Sequence, residues 1–414
     1  MTSPTRPTMP KSPTRPRAID LFAGAGGLSI SLEQAGFDTV AVLDNNPDAV
    51  ATLRASQAAR IPIHDGDGRD FLDGARIIDA DIATLTAADL RPAGAPKNWR
   101  PDLLAGGPPC QPFSSAGKQK GVADPRGKLF LQFVRVAAEL RPRYVLFENV
   151  RGLLTQKGPD GRPGGVLEMV QESFEELGYA VRFATLNAAD YGAPQRRVRL
   201  YMIGTADHRL PEFPSPTHAR NAVLGGELSV KPWVTLGEFL AGEPPADPAD
   251  LVLPSGPRAA ELMALSPGTG IRTGGVVEYQ RPSGHWGYKQ DCFLADPAVP
   301  SRTIRAAATP DWIRLADGSL RRLTWRECAG LQGFPREWSF VGSTTSKFRQ
   351  IGNAVCTPIG TALASTIAAS LARGRARVAP SSPAWPPEFR HRINYTAMEE
   401  RVNGPSRREK IRVP

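Results

Sequence analysis

Short apolar runs recur through the first half of the chain, and most of them end in a polar or glycine-rich segment. Stretches with helical spacing of apolar residues separate these runs. The run Tyr144-Val145-Leu146-Phe147 has no alternation of apolar and polar positions, which is typical of a strand buried on both faces. The pattern predicts an α/β fold with a parallel sheet. The predicted strands are 18–22, 39–43, 77–82, 103–105, 144–147, 181–186 and 198–203, and the predicted helices are 28–35, 46–59, 129–140 and 166–177.

The alternation of strands and helices stops near residue 206, where proline, glycine and scattered aromatic residues become frequent. Thr324, followed three residues later by Glu327, predicts a capped helix to Leu331, and a last helix ends at about Leu371. This change predicts a second, smaller and irregular domain. The predicted units are a disordered Pro/Arg arm at 1–17, a main domain at 18–205, the irregular domain at 206–338, a segment at 339–372, and a basic, loosely ordered tail at 373–414.

The composition is that of a globular protein, with 41% hydrophobic and 22% charged residues in 414. We expect a cytoplasmic, reduced protein, because no run is long enough for a membrane span and the four cysteines lack paired spacing. We also expect no metal site. The net charge of +10 lies on the flanks: 1–17 hold four Lys or Arg and no acid, and 373–414 hold ten against four Glu. These flanks suit arms attracted to phosphates, and a solubilising role is the alternative.

A glycine turn, Ala23-Gly24-Ala25-Gly26-Gly27, follows the first predicted strand. A strand, a glycine turn and a helix form a cradle for a nucleotide, because glycine lets the backbone approach the ligand. A dinucleotide site would have glycine at position 29, which is Ser29, so NAD is disfavoured. Asp44, at the end of the second predicted strand, is suitably placed to bind ribose hydroxyls.

Cys110 follows a predicted strand on a turn that two glycines and two prolines make rigid. The ordinary role of a lone cysteine is structural, but these neighbours favour a reactive thiol. Glu148 ends another buried strand, and an acid there needs a task or a partner. Arg197 and Arg199 point to the same face of a strand, which indicates an anionic partner or the active site.

Together these segments resemble the motifs of the DNA (cytosine-5)-methyltransferases. They occur in the order and spacing of that family over about residues 18–372. The matching strings are Asp20-Leu21-Phe22-Ala23-Gly24-Ala25-Gly26-Gly27, Pro108-Pro109-Cys110-Gln111, Asp124-Pro125-Arg126-Gly127, Glu148-Asn149-Val150, Gln195-Arg196-Arg197-Val198-Arg199 and Gln350-Ile351-Gly352-Asn353-Ala354-Val355.

The resemblance implies a Rossmann-like, S-adenosylmethionine-dependent catalytic domain, a target-recognition domain at 206–338, and a segment at 339–372 that returns to the catalytic domain. At the third strand it leaves the choice between Asp79 and Asp81 open and favours Asp81. The implied cofactor-binding residues are Phe22, Ala23, Gly24, Gly26, Gly27, Leu28, Asp44, Asn45, Asp81, Ile82, Pro109, Leu129, Asn353 and Val355. The implied DNA contacts are Gln111, Ser114, Ser115, Lys118, Lys120, Arg126 and Gln195.

The resemblance also implies a mechanism. The Cys110 thiolate would attack carbon 6 of a flipped cytosine, so that carbon 5 could accept the methyl group. Glu148 would hold the ring nitrogen and amino group, Arg199 would hold the carbonyl oxygen, and Arg197 would support the catalytic loop.

Two other functions remain open at this point. One is an RNA cytosine-5 methyltransferase on the same fold, and the other is a catalytically silent DNA-binding regulator. The expected partners are double-stranded DNA and a cognate restriction endonuclease. The expected setting is the bacterial cytoplasm, and the expected state is a monomer.

Overall fold

A seven-stranded sheet forms the centre of the molecule in the computed structural model, which describes residues 15–63, 68–109, 128–222, 230–271, 292–376 and 379–403. The strands of this central sheet are β1 (Arg17–Leu21), β2 (Asp38–Asp44), β3 (Arg76–Asp79), β4 (Leu103–Gly106), β5 (Tyr144–Val150), β6 (Ala180–Asn187) and β8 (Val198–Thr205). Their order in the sheet is β3-β2-β1-β4-β5-β8-β6. The two-residue strand β7 (Gln195–Arg196) belongs to another sheet.

The sheet is mixed, so the prediction of a wholly parallel sheet is wrong at one strand. β8 runs antiparallel to both β5 and β6, whereas β1 to β5 pair in parallel. Arg197 and Arg199 therefore lie at the amino end of β8 and not at a carboxyl end. Val150 at the end of β5 is opposite Arg199, so the reversal still brings both arginines to the edge where the parallel strands end.

Helices cover both faces of the sheet. One apolar cluster packs α1 (Gly27–Gln34) and α10 (Thr357–Ala372) against one face. A second cluster packs α3 (Ala87–Leu90), α4 (Lys128–Leu140) and α5 (Gly165–Glu175) against the other face. The remaining helix of this region, α2 (Pro47–Ala58), begins as predicted, since the Asn46 side chain accepts a hydrogen bond from the Ala49 N–H.

The smaller region consists of short elements. Its strands are β9 (His218–Ala219), β10 (Lys231–Pro232), β11 (Thr269–Gly270), β12 (Phe293–Leu294), β13 (Ser301–Arg302), β14 (Trp312–Arg314) and β15 (Leu320–Arg322). The helices that accompany them are α6 (Leu236–Ala241), α7 (Ala259–Met263), α8 (Trp325–Leu331) and α9 (Thr344–Asn353). A four-stranded sheet has the order β11-β12-β14-β15, β9 pairs with β10, and β13 pairs with β7 of the main region.

Part of the predicted irregular domain packs against the main domain. Trp338 packs edge-on against Phe71, and its Nε1 donates to the carbonyl of Ala25 in the glycine turn. Phe334 belongs to the apolar cluster that contains Phe71 and Trp338. The segment that contains α8, whose Thr324–Glu327 capping box is formed as predicted, therefore already packs against the main domain.

The C-terminal region differs from the predicted loose tail. Residues 387–403 form helix α11 (Pro387–Asn403). Phe389 is fully buried in the cluster that contains α4 and α5, and Trp385 and Ile393 pack against that cluster. Trp385, Phe389 and Ile393 form an apolar stripe with a spacing of four residues. The proline- and arginine-rich composition of the segment did not indicate this stripe.

One stretch of the described residues, Thr344–Ala372, is long and apolar enough to cross a membrane by length and composition. More than half of its most apolar window, 56%, is buried inside the molecule, and it is divided between α9 and α10. This is the pattern of core helices.

Candidate active site

A cavity of about 530 Å³ lies at the carboxyl edge of the parallel strands. Its size falls in the usual range for a small-molecule site. Twelve of the fourteen residues predicted to bind the cofactor line it, and Gly26 and Gly27 do not. The twelve are Phe22, Ala23, Gly24, Leu28, Asp44, Asn45, Asp81, Ile82, Pro109, Leu129, Asn353 and Val355.

The glycine turn shapes one wall of this cavity. Gly24 and Gly26 adopt positive φ angles of 55° and 94°, which glycine tolerates best. A Cβ atom on Gly27 would lie 2.4 Å from the carbonyl oxygen of Val355. Gly26 and Gly27 are therefore needed for close packing of the glycine turn against its neighbours, which differs from the predicted contact with a ligand.

Asp44 presents a carboxylate at the end of β2. Its two oxygens accept hydrogen bonds from the N–H groups of Gly24 and Asn46, both at 2.8 Å. Burial raises the pKa of Asp44, and these backbone hydrogen bonds oppose that shift. The carboxylate is thus fixed in orientation where it borders the cavity.

The structure distinguishes Asp81 from Asp79. Asp81 borders the cavity, and its side chain accepts from the Ala83 N–H at 2.9 Å. Asp79 does not line the cavity, although it ends β3. Ile82, only 3% exposed, contributes an apolar surface beside Asp81.

The proline turn after β4 is held against the end of β5. The Asn149 side chain donates to the carbonyl of Pro108 at 2.9 Å. A Cβ atom on Gly107 would lie 3.1 Å from Oε2 of Glu148, a tight contact that glycine avoids. Cys110 is next in the chain after Pro109 and lies outside the described residues.

Glu148 and Arg199 form an ion pair on the cavity wall, with Arg199 Nε 3.4 Å from Glu148 Oε1. Burial raises the pKa of Glu148, while the guanidinium groups of Arg199 and Arg197 act in the opposite direction. A carboxyl group in this balance can hold a proton more readily than a solvated one.

Arg197 is almost completely buried, at 2% exposure. Its guanidinium donates to the carbonyls of Ile304, Gly352 and Ala354. Burial and the neighbouring Arg199 lower the pKa of Arg197 to about 10. Within the described residues, Arg197 therefore joins β8 to the segment before α8 and to the C-terminal end of α9.

The predicted DNA contact of Gln195 is wrong in this structure. Gln195 is fully buried, its Nε2 donates to Leu331 and Gln332, and its Oε1 accepts from the Ile304 N–H. The other predicted DNA contacts lie outside the described residues: Gln111, Ser114, Ser115, Lys118, Lys120 and Arg126.

Comparison with known proteins places this arrangement in a family. The family model for C-5 cytosine-specific DNA methylases matches residues 17–223 and 275–369. The chain belongs to the C-5 cytosine-specific DNA methylase family. It is a DNA cytosine-5 methyltransferase that uses S-adenosylmethionine.

Curated relatives extend over most of the chain. Type II methyltransferase M.PspPI of Psychrobacter sp. is 34% identical, over 84% of this chain and 77% of the relative. Type II methyltransferase M.NgoMIV of Neisseria gonorrhoeae is 30% identical, over 86% of this chain and 97% of the relative. Among solved structures, the S. pombe Dnmt2 methyltransferase has a TM-score of 0.57 at 22% identity and covers 86% of this chain and 99% of its own, which supports the fold.

The cavity of this methyltransferase fits S-adenosylmethionine. The glycine turn leaves room for a ligand beside backbone groups, because nothing lies within 4 Å of a Cβ built on Gly24. The carboxylates of Asp44 and Asp81 can accept from hydroxyl and amino groups, and Phe22, Leu28 and Ile82 provide apolar surface. These residues would hold the ligand next to the Glu148–Arg199 pair.

Several residues of the site were not predicted. Asn149 stood in a recognised motif but received no role, although it fixes the proline turn. Arg349 and Ser346 line the cavity from α9. They reach the cavity because α9 returns to it. A local sequence pattern does not show which residues of α9 would line the cavity.

Proposed function

We propose that this methyltransferase is the modification enzyme of a restriction–modification system, and that Cys110 forms a covalent adduct with a flipped cytosine in a short duplex sequence. The single observation that carries the proposal is the Glu148–Arg199 pair beside the Pro108–Pro109 turn on the wall of the cofactor cavity. The names of the curated relatives, all type II methyltransferases, support the restriction–modification setting.

The buried position of the pair supports base flipping. Only 15% of the Arg199 side chain and 12% of the Glu148 side chain are exposed. A cytosine stacked inside a duplex cannot bring its ring edge into such a recess. The base must therefore leave the stack before Glu148 and Arg199 can contact it.

Each residue has a chemical task in this proposal. The thiolate of Cys110 adds to carbon 6, so that carbon 5 gains the electron density of an enamine. Glu148, with its raised pKa, donates a proton or hydrogen bond to ring nitrogen 3 and favours the addition. Arg199 binds the carbonyl oxygen, where negative charge would otherwise develop.

S-adenosylmethionine supplies the methyl group as an electrophilic sulfonium substituent. Carbon 5 would form the new carbon–carbon bond as the methyl–sulfur bond breaks, with S-adenosylhomocysteine as the leaving group. A base then removes the proton from carbon 5, and the electron pair expels the Cys110 thiolate and restores the aromatic ring.

Arg197 is a positioning residue in this scheme. Its three hydrogen bonds go to carbonyls of segments that also carry cavity-lining residues, including Gly352 and Ala354. The predicted DNA contacts between Gln111 and Arg126 remain proposals, as do the monomeric state and the restriction endonuclease partner.

A trapping experiment tests the proposed adduct. Duplex DNA with 5-fluorocytosine should stop the reaction after methylation, because carbon 5 then has no proton to lose. We expect intact-mass spectrometry to show a stable protein–DNA species with the wild type and with Cys292→Ser, but not with Cys110→Ser.

The same experiment also tests the two other functions considered from the sequence. A matching RNA that traps the protein while the duplex does not would favour an RNA substrate. A protein that binds S-adenosylhomocysteine and DNA but forms no adduct with either nucleic acid would favour a silent regulator. Trapping by Cys110→Ser at the wild-type level would overturn the role of this thiol.

A further inference from the structure

Among the described residues, three cationic side chains line the cofactor cavity: Arg197, Arg199 and Arg349. The Arg197 guanidinium donates to three backbone carbonyls, and Arg199 is paired with Glu148. Arg349 is exposed, and within the part of the chain that the structure describes no hydrogen bond or ion pair engages its guanidinium. Arg349 is therefore the cation of this lining that is left to meet an anionic ligand.

Helix α9 holds Arg349 against the cavity. Four residues of α9 line the cavity at a spacing of three or four positions, which places them on one face of the helix: Ser346, Arg349, Gln350 and Asn353. Between them, Phe348 and Ile351 are buried in the apolar cluster that contains Trp338. Because Arg349 stands on a packed helix, a ligand does not have to order a loop in order to bind it.

Polar contacts fix both ends of this helix face. At one end, the Ser346 hydroxyl donates to Asp48 in the first turn of α2, the helix that follows β2. At the other end, the Gly352 carbonyl accepts from Arg197. Arg349 thus lies between the side of the cavity formed after β2 and the side that carries Arg197.

S-adenosylmethionine offers one anionic group. It carries a positive sulfonium, a positive ammonium and a single negative group, the α-carboxylate of its methionine part. The methionine chain is bonded to the same sulfur atom as the methyl group and the ribose-bearing carbon. With the ribose hydroxyls at Asp44 and the methyl group towards Glu148, the methionine chain starts between these two sides of the cavity, as Arg349 does. The direction of the methyl group rests on the proposed function.

We infer that Arg349 binds the α-carboxylate of S-adenosylmethionine and is thereby a determinant of cofactor affinity. Asp44, Asp81 and Glu148 are the acids among the described residues of the lining, and their charges would repel this carboxylate. The planar guanidinium of Arg349 can donate to both carboxylate oxygens in charge-assisted hydrogen bonds. A phosphate of bound DNA is the competing anion for an exposed arginine, and the experiment distinguishes the two.

Titration calorimetry of the full-length protein with two ligands tests the inference. One ligand is S-adenosylhomocysteine, and the other is its decarboxylated analogue. We expect Arg349→Met to weaken the binding of S-adenosylhomocysteine by about 5- to 30-fold and to leave the affinity for the analogue unchanged. Arg349→Lys, which keeps the charge but not the planar pair of donors, should lie between the wild type and Arg349→Met.

Lys347 provides a matched control, two positions away on the same helix. Its ammonium lies 4.2 Å from the centroid of the Trp325 ring, and Lys347 does not line the cavity. Lys347→Met removes the same charge from α9 and should keep the wild-type affinity for both ligands.

Two results would overturn the inference. An equal loss of affinity for both ligands in Arg349→Met would indicate a changed cavity and not a lost carboxylate contact. Unchanged affinity for S-adenosylhomocysteine would also overturn it, and weaker binding of duplex DNA by the same variant would then assign Arg349 to a phosphate. The titrations need neither DNA nor Cys110, so a failure here is distinguishable from a failure to form the 5-fluorocytosine adduct.

Discussion

Arg199 Nε lies 3.4 Å from Oε1 of Glu148. The two residues lie on the neighbouring strands β8 and β5, which run antiparallel to each other. The position of Arg199 is fixed further by a hydrogen bond from its Nη1 to the carbonyl of Val198. Burial raises the pKa of Glu148, and the arginine beside it limits that rise. The protonation of the proposed catalytic acid therefore depends on its ion-pair partner.

Glu148→Gln should abolish most of the activity without loss of cofactor binding. The amide keeps the size of the side chain but cannot transfer a proton, so the methylation rate should fall by about 10²- to 10⁴-fold. In the wild type the rate should fall as the pH rises through the raised pKa of Glu148, since the proton is lost there. Single-turnover methylation against pH checks both points. A variant that kept this alkaline decline would contradict the role of Glu148.

Substitution of Arg199 should change both the rate and its pH dependence. Without the guanidinium, nothing at this position lowers the pKa of Glu148, so the alkaline decline should move to higher pH in Arg199→Met. The rate at the optimum should fall by about 10²- to 10³-fold with loss of the carbonyl contact. Arg199→Lys, which retains a charge, should lie between the two. A shift to lower pH would contradict the assigned coupling.

The motif residues could be predicted because each chemical feature was encoded locally. The glycine turn, Asp44, the proline turn and Glu148 all follow short buried strands, and in parallel strands such ends meet at one edge. The role of Gln195 could not be found in this way. The resemblance implied a DNA contact, but the hydrogen-bond partners of its side chain, Leu331 and Gln332, are more than a hundred positions away.

The same distinction applies to the fold. Element types and most helix bounds followed from apolar spacing, whereas the reversed β8 depends on which strands pair across the chain. Helix α11 was missed because its docking relies on a few residues, such as Phe389 and Ile393, in a segment of otherwise disordered-type composition. The direction of β8 and the docking of α11 both depend on contacts between segments that are far apart in the sequence.

Asp20 should make the folded protein less stable as the pH rises. Burial raises the pKa of Asp20 from 3.8 to about 7, with the Ser29 hydroxyl as its hydrogen-bond donor. The stabilisation that comes from the protonated Asp20 carboxyl in the folded protein is complete below pH 4, and it is lost as the pH rises through 7. Glu33, also raised to about 7 by burial, acts in the same direction.

Asp20→Asn should remove the contribution of Asp20 to the change of the unfolding free energy with pH, which is up to about 4 kcal/mol. Urea unfolding at pH 5 and pH 8 measures the effect, and Glu33→Gln serves as the parallel variant. The gain of Asp20→Asn over the wild type should be larger at pH 8. A gain that was larger at pH 5 would contradict the raised pKa.

Alanine at Gly27 in the glycine turn should have a larger effect than alanine at Gly36, where a Cβ atom would meet no other atom within 4 Å. In Gly27→Ala the new methyl group meets the Val355 carbonyl, which should cost about 1–3 kcal/mol and displace a cavity wall. Gly36→Ala introduces strain at a φ of 88°, with no atom within 4 Å, and should cost about 1 kcal/mol. Calorimetric titration with S-adenosylhomocysteine should show weaker binding only for Gly27→Ala. Equal affinities would exclude the packing role assigned to Gly27.

Bisulfite sequencing of plasmid DNA from cells that express the chain tests the central claim most directly. We predict that cytosines within one short recurring sequence resist conversion in cells with the wild type, and that all cytosines are converted in cells with Cys110→Ser. Complete conversion with a wild-type protein that is folded and binds S-adenosylhomocysteine would contradict the claim.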